Sequence, residues 1–316
     1  AEVLLREALE LQNALGLEKS TQTARILRIL SLCLYDQGLA DEPIPLMNSA
    51  VALLEDIHGG PHPQLAEALN DLALLLGEAG QARESERIFR DALDMKRALL
   101  GDAHPEIATG LNNVAYALYD QGQIEESELM HREALAMQRD LLGDAHPDVA
   151  LSLGNLSYLA YETGRLDNAI AAASESLSVY RRAFGDEHAK VADAMYTLAL
   201  WTMHAKEYVR AEALLLDARR IHEKLLGADH SDVAADMTVL ANIYVMTGRF
   251  EEAEAISRTA QRIQLQTLGD EHWRTAAAGG ALGAALSGRV RRRRQKDYCW
   301  TVSRRWRRIR RSWLST

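Results

Sequence analysis

Apolar residues fall along this chain in alternating stretches of helical period. Over residues 104–143, Ile107, Leu111, Val114, Ala115 and Leu118 recur at the spacing of one helix face. Gly122, in the sequence DQGQ, ends that stretch, since glycine readily adopts the left-handed cap conformation. A second helix is predicted from Ile124 to Leu142, with Leu129, Ala134, Leu135, Leu141 and Leu142 as its apolar contacts and Gly143 as its stop. No run alternates apolar and polar residues as a half-buried strand would. The same two-helix phrase repeats every 42 residues, and His62, His104, His146, His188, His230 and His272 mark the period. So do Gly59, Gly101, Gly143, Gly185, Gly227 and Gly269. A third ladder is Gly38, Gly80, Gly122, Gly164 and Gly248, with Lys206 in the one gap. Self-similarity of this length signals stacked helical hairpins, because one hairpin alone cannot bury its apolar face.

The period predicts a lone helix at 1–18, six hairpins at 21–58, 63–100, 105–142, 147–184, 189–226 and 231–268, and a further first helix near 272–288. Breaks between paired helices are expected near Gly80, Gly122, Gly164, Lys206 and Gly248. Small residues recur where helices must approach: Ala73, Ala115, Ser157, Ala199 and Ala241 on first helices, and Ser85, Ser127, Ala169, Ala211 and Ala253 on second helices. A second small column runs Ala50, Ala92, Ala134, Ser176, Ala218 and Ala260. With helix axes ~8–10 Å apart, larger side chains there would force the pair open. The first hairpin departs from the pattern. Ser20 stands where histidine is expected, and Pro43 and Pro45 are predicted to delay or kink its second helix.

The phrases LNNVA, GQIEESE and LLGDAHPDVA resemble the tetratricopeptide repeat, in the kinesin light chain variety with its longer second helix and loop. The likeness covers residues 1–288. It implies an all-α, right-handed superhelical α-solenoid of helix-turn-helix repeats whose first helices line a concave peptide groove. Carried onto this sequence, the groove positions are Asn70, Asn112, Tyr116, Tyr119, Tyr158, Tyr161, Tyr196 and Asn242. The ends of the same helices add an acidic row, Asp36, Glu78, Asp120 and Glu162, with Tyr35 beside the first. Tyrosine supplies apolar area with a polar tip, and asparagine can both donate to and accept from a peptide backbone. The row lacks the Lys/Arg set that captures C-terminal carboxylates in chaperone-binding relatives; Arg25 and Arg28 stand only near the start. A neutral to basic protein or peptide partner is therefore expected.

Charge changes the picture at one end. The net charge is −9, but residues 289–316 hold twelve Lys or Arg against the single acid Asp297. For this Arg/Trp-rich tail three readings stand open: a basic segment for nucleic acid or an anionic surface, a segment that docks on the acidic repeats, and the product of a shifted reading frame. It carries no expectation of a packed second helix. Only six lysines occur, and the Arg bias points to a GC-rich, bacterial genome. The chain begins with Ala1, inside a repeat, and reads as a fragment.

Chemistry is sparse. Cys33 and Cys299 provide no disulfide framework, which favours the reducing cytoplasm. Cys33, in ILSLCLYD, reads as a small buried hydrophobe. No phosphate loop, HExxH or nucleophile elbow is present, so no enzyme, cofactor or metal is expected. Successive ladder histidines should lie ~16–20 Å apart, at two helices per repeat. That is too far to share a metal with ligands at ~2 Å. Each is expected to cap a first helix. The function expected is a non-catalytic protein–protein interaction scaffold. Two alternatives stand: the sensor region of a larger signalling protein, such as a bacterial serine/threonine kinase, and nucleic-acid or anionic-surface binding through the tail.

Overall fold

The computed structural model describes residues 1–39, 41–270 and 272–291. Every regular element among them is helical. A first helix, α1 (Glu2–Ala14), precedes six hairpins. These are α2 (Thr21–Asp36) with α3 (Pro43–His58), α4 (Pro63–Glu78) with α5 (Ala82–Leu100), and α6 (Pro105–Asp120) with α7 (Ile124–Leu142). Then come α8 (Pro147–Glu162) with α9 (Leu166–Phe184), α10 (Ala189–His204) with α11 (Tyr208–Leu226), and α12 (Ser231–Met246) with α13 (Phe250–Leu268). A last helix, α14, is described over 273–291. It passes the expected boundary at 288, and Arg289 contacts Glu254 of α13. The remaining tail, 292–316, lies outside the described residues. The chain forms two compact units that meet inside α8, Ala1–Leu159 and the residues from Ala160 on.

The ladders now have physical causes. At every repeat the histidine sits just before the first helix and its Nδ1 accepts the backbone N–H two residues on, at 3.1–3.2 Å, from Gln64 to Arg274. One of the four orphan donors of each helix start is thereby satisfied. Ser20 does the same for α2 with its hydroxyl, accepting from the Thr23 N–H. At the far end of α6, Gly122 N–H bonds to Tyr119 C=O and Gln123 N–H to Leu118 C=O, a Schellman closure that needs positive φ at Gly122. The same pair of bonds closes α10 at Lys206, which adopts φ 63° without glycine's freedom. Pro43 delays α3 as expected: the helix begins there, three residues later in the repeat than α5 or α7.

The small-residue columns are the contact lines within hairpins. Ala73, Ala115, Ser157, Ala199 and Ala241 are wholly buried, as are Ser85, Ser127, Ala169, Ala211 and Ala253. Two of the serines also bond across the gap: Ser85 Oγ donates to Ala73 C=O and Ser127 Oγ to Ala115 C=O, both at 2.7 Å. One apolar expectation fails. Leu129 is 60% exposed, and Leu141 also faces solvent. The inward stripe of α7 is Ser127, His131, Ala134, Leu135 and Gln138. Leu129 lies two residues, about 200°, from its nearest member Ser127.

A different column runs, in sequence, from the end of each second helix to the first helix that follows, and two of its pairs are bonded. The position near the end of each second helix and the one fourteen residues later are occupied by Leu54 and Ala68, Lys96 and Gly110, Gln138 and Ser152, Tyr180 and Ala194, His222 and Asp236, and Gln264 and Ala278. A large residue stands with a small one, or two polar residues bond to each other. Ser152 Oγ donates to Gln138 Oε1 at 2.7 Å. His222 Nδ1 lies 2.8 Å from Asp236 Oδ2, with both side chains buried. Burial opposes the charge on His222, but hydrogen bonds and charges from Asp193 and Asp236 outweigh it and push the imidazole up to about 10. Burial lifts the Asp236 carboxyl to about 6 against the pull of His222, so at neutral pH the pair is ionised.

Two outcomes follow from this packing. Ala134→Leu will overpack the α6–α7 contact and cost roughly 1–3 kcal/mol. Exposed Glu125→Ala will change stability by no more than about 0.5 kcal/mol, and denaturant melts of the two compare them directly. His222→Tyr alone will leave a buried carboxylate without its cation and cost about 3–5 kcal/mol. His222→Tyr with Asp236→Ala, which copies the Tyr180–Ala194 joint, will recover most of that loss. Because the His222 pKa is raised, its stabilisation is complete below pH about 6.5 and disappears as the pH climbs through about 10. The double variant will lose this alkaline slope in thermal melts.

Candidate functional site

In the first unit the first-helix residues draw together two kinds of side chain, aromatic and acidic. Tyr116 and Asp120 are one turn apart on α6, and Tyr116 is 42% exposed. Its hydroxyl donates to Glu78 Oε1 of α4, a long contact at 3.5 Å. Glu78 also faces Tyr35 of α2. Burial first, then the charges of Asp120 and Glu78, raises the pKa of the Tyr116 phenol. Burial and the neighbouring Glu78 charge likewise raise that of Asp120. Two carboxylates thus face one another, and neither has a Lys or Arg partner among the described residues. They also sit at helix C-termini, the negative ends of the dipoles, where acids are least favourable.

The second helices show the opposite arrangement. Arg87 bridges Glu84 and Asp91, Arg90 bridges Glu86 and Glu126, and Arg132 holds Glu128. These acids are neutralised where they stand.

Tyr116 also lines a recess of about 190 Å³ with Tyr119, Tyr158, Asn155, Leu159 and His131. Tyr158 is 41% exposed, and Tyr119 is partly buried. His131 was not singled out in the sequence, although a signal exists: its column holds Met47, Phe89, Ala173, Leu215 and Ser257 in other repeats. It is 4% exposed, its Nδ1 lies 2.7 Å from Asn112 Oδ1, and burial pushes the imidazole down to about 4.

Asn112 requires a correction. Expected on the groove, it is 7% exposed and belongs to the packing between helices. Its amide donates to Ser152 Oγ at 2.8 Å while its carbonyl meets His131. The family geometry placed it on the groove, but the polar cluster of His131, Ser152 and Gln138 draws this side chain inward. Asn70 is partly buried and accepts from Asn113 at 2.6 Å, linking α4 and α6.

In the second unit Tyr161 stacks on Trp201 with ring centroids 4.4 Å apart, and its hydroxyl lies 3.2 Å from His204 Nε2. Neither Trp201 nor His204 was anticipated; His204 stands where earlier repeats carry the acidic row. Glu162 is exposed, Asn242 is partly buried, and Tyr196 packs partly buried against the hydrophobic core of α10–α13.

Paired antiparallel helices on a fixed period, capped and joined in this way, define an all-α helical-hairpin repeat protein. The tetratricopeptide repeat family model matches residues 22–98, 106–182 and 191–266, more than half of the chain, which therefore belongs to that family. No curated protein matches. Among solved structures, BtubC, a bacterial kinesin light chain from P. vanneervenii, is 22% identical with TM-score 0.59, covering 83% of this chain and 93% of that one. A kinesin light chain repeat protein of Podospora anserina is 22% identical with TM-score 0.55, covering 66% of this chain and 98% of that one. A signal transduction ATPase with a tetratricopeptide repeat sensor, from Pyrococcus horikoshii, is 16% identical with TM-score 0.62, covering 96% of this chain and 48% of that one. The repeats are thus tetratricopeptide repeats, a scaffold generally used for protein–protein interaction.

Asp120→Asn will remove one of two facing charges from a helix C-terminus. It will raise stability by about 0.5 kcal/mol at low salt and by less in 1 M salt. The wild-type penalty exists above the raised Asp120 pKa and is relieved as the pH falls through it, so thermal melts of the two proteins will converge in acid.

Proposed function

We propose that the protein is a non-catalytic scaffold that holds a peptide segment against its first helices, and that the segment is neutral to basic. The observation that carries this reading is the contrast in charge placement. On the second helices Glu84, Asp91, Glu86, Glu126 and Glu128 are paired with arginine, whereas Glu78 and Asp120 have no Lys or Arg partner among the described residues and stand beside exposed tyrosines at unfavourable helix ends. A residue set that opposes local stability is expected at a functional site. Tyrosine is also enriched among the few residues that dominate binding energy. Free Cys33 suits a reducing, cytoplasmic setting, and no described helix is long and apolar enough to cross a membrane.

A second reading has an observation of its own. The likeness to the Pyrococcus horikoshii ATPase extends over 96% of this chain and 48% of that one, which suits a sensor region in a larger signalling protein. Sequencing of the surrounding reading frame distinguishes the two: an in-frame ATPase or kinase domain supports the sensor.

The scaffold reading is tested with Tyr119→Ala combined with Tyr161→Ala. Capture of the bound partner will weaken by on the order of 2 kcal/mol, about thirtyfold in Kd. Quantitative pull-down with an unchanged partner set overturns the assignment.

A further inference from the structure

In the first unit Tyr116, Tyr119, Tyr158, Asn155, Leu159 and the buried imidazole of His131 line one recess, with the carboxylates of Asp120 and Glu78 beside Tyr116 at its edge, and we propose that this recess is the anchor pocket for a single arginine side chain of the bound peptide. The inference rests on the peptide-scaffold reading and gives it a ligand chemistry. The carboxylates alone make only a diffuse anionic patch. The imidazole makes the site directional.

Its proton can be placed. The Asn112 amide nitrogen donates to Ser152 Oγ, and Ser152 Oγ donates to Gln138 Oε1. The remaining Asn112 atom, Oδ1, is an acceptor, so the proton between it and His131 belongs to Nδ1. Burial keeps the ring neutral. Nε2 is therefore a bare lone pair on a side chain that is almost wholly buried, lines the recess and has no protein donor to Nε2 among the described residues. In the equivalent column the other repeats place Met47, Phe89, Ala173 and Leu215, which need no partner, and Ser257, whose hydroxyl donates to Ala253 C=O.

The inventory of the recess fixes the ligand. Its floor offers a nitrogen acceptor, its walls are the rings of Tyr116, Tyr119 and Tyr158, and the carboxylates of Asp120 and Glu78 flank Tyr116. None of these groups carries positive charge. The complement is a cation with several N–H donors and flat faces that stack on aromatic rings, which describes a guanidinium. An ammonium satisfies the charge but is more strongly hydrated and has no planar face. The volume of about 190 Å³ suits one side chain, not a folded element.

The test uses the full chain with ring-labelled tyrosine, titrated by NMR with an acetylated, amidated Gly-Ser-Arg-Ser-Gly peptide and its citrulline and lysine counterparts. The arginine peptide will move the Tyr116, Tyr119 and Tyr158 resonances. Citrulline, which keeps the shape and loses the charge, will bind at least tenfold more weakly, and lysine will fall between. Asp120→Asn will weaken the arginine peptide about tenfold while raising the melting temperature, a combination that a structural role would not produce. His131→Phe, which copies Phe89, removes the acceptor and will also weaken it about tenfold; urea melts confirm that this variant folds. Equal affinity for the arginine and citrulline peptides overturns the pocket. Movement confined to Tyr161 and Tyr196 also rejects it but leaves the scaffold reading in place. If no tyrosine moves and the Tyr119/Tyr161 double variant keeps its partners, both ideas fall.

Discussion

Two helices can approach to within reach of each other's backbone only where nothing larger than a methyl or hydroxymethyl group stands between them. In this protein that condition is met by columns of alanines and serines with almost no exposure, with Pro43 the exception in the first hairpin. Where serine is used, as at Ser85 and Ser127, the hydroxyl bonds to a carbonyl of the opposite helix and fixes the register along the contact. The rest follows from this approach. The closure at Gly122 must be tight because the partner helix begins two residues later. The histidine caps must sit where the chain turns back into the next first helix. Larger apolar residues are left to fill the space between hairpins.

The same geometry decides where chemistry can be displayed. Second helices present long, exposed faces on which Glu and Arg neutralise one another at one-turn spacing, as Arg132 and Glu128 do. First helices present a short exposed strip near their C-termini. An acid there meets the dipole of its own helix and the acid of the next repeat. Glu78 and Asp120 occupy such places, and the raised Asp120 pKa expresses both the burial and the repulsion. Electrostatics of this kind are tolerated where a cation arrives from outside.

Much of the fold was legible because it is written in repeats. Hairpin limits, cap residues and small-residue columns could each be read several times over, so chance was averaged away. The left-handed backbone at Lys206 could be read from the glycine ladder around it. The candidate site was less legible because it depends on what differs between repeats. Asn112 looked like a groove residue by period, yet its environment is set by His131 and Ser152, which appear together in this repeat pair alone. Leu129 looked buried by composition, but helical phase turns it outward. Trp201 and His204 replace the earlier pattern with a different one, which a search for periodicity passes over.

The joints between repeats carry a further meaning. Gln138 with Ser152, Tyr180 with Ala194 and His222 with Asp236 fill comparable places by unlike means. Tandem repeats encoded by similar DNA are prone to unequal recombination, which deletes or duplicates one unit. Here such an event would set a tyrosine against an aspartate or strand a buried histidine beside an alanine. The joints therefore act as a serial number. They distinguish one junction from the next, so the order of the hairpins as well as their shape is written into the chain.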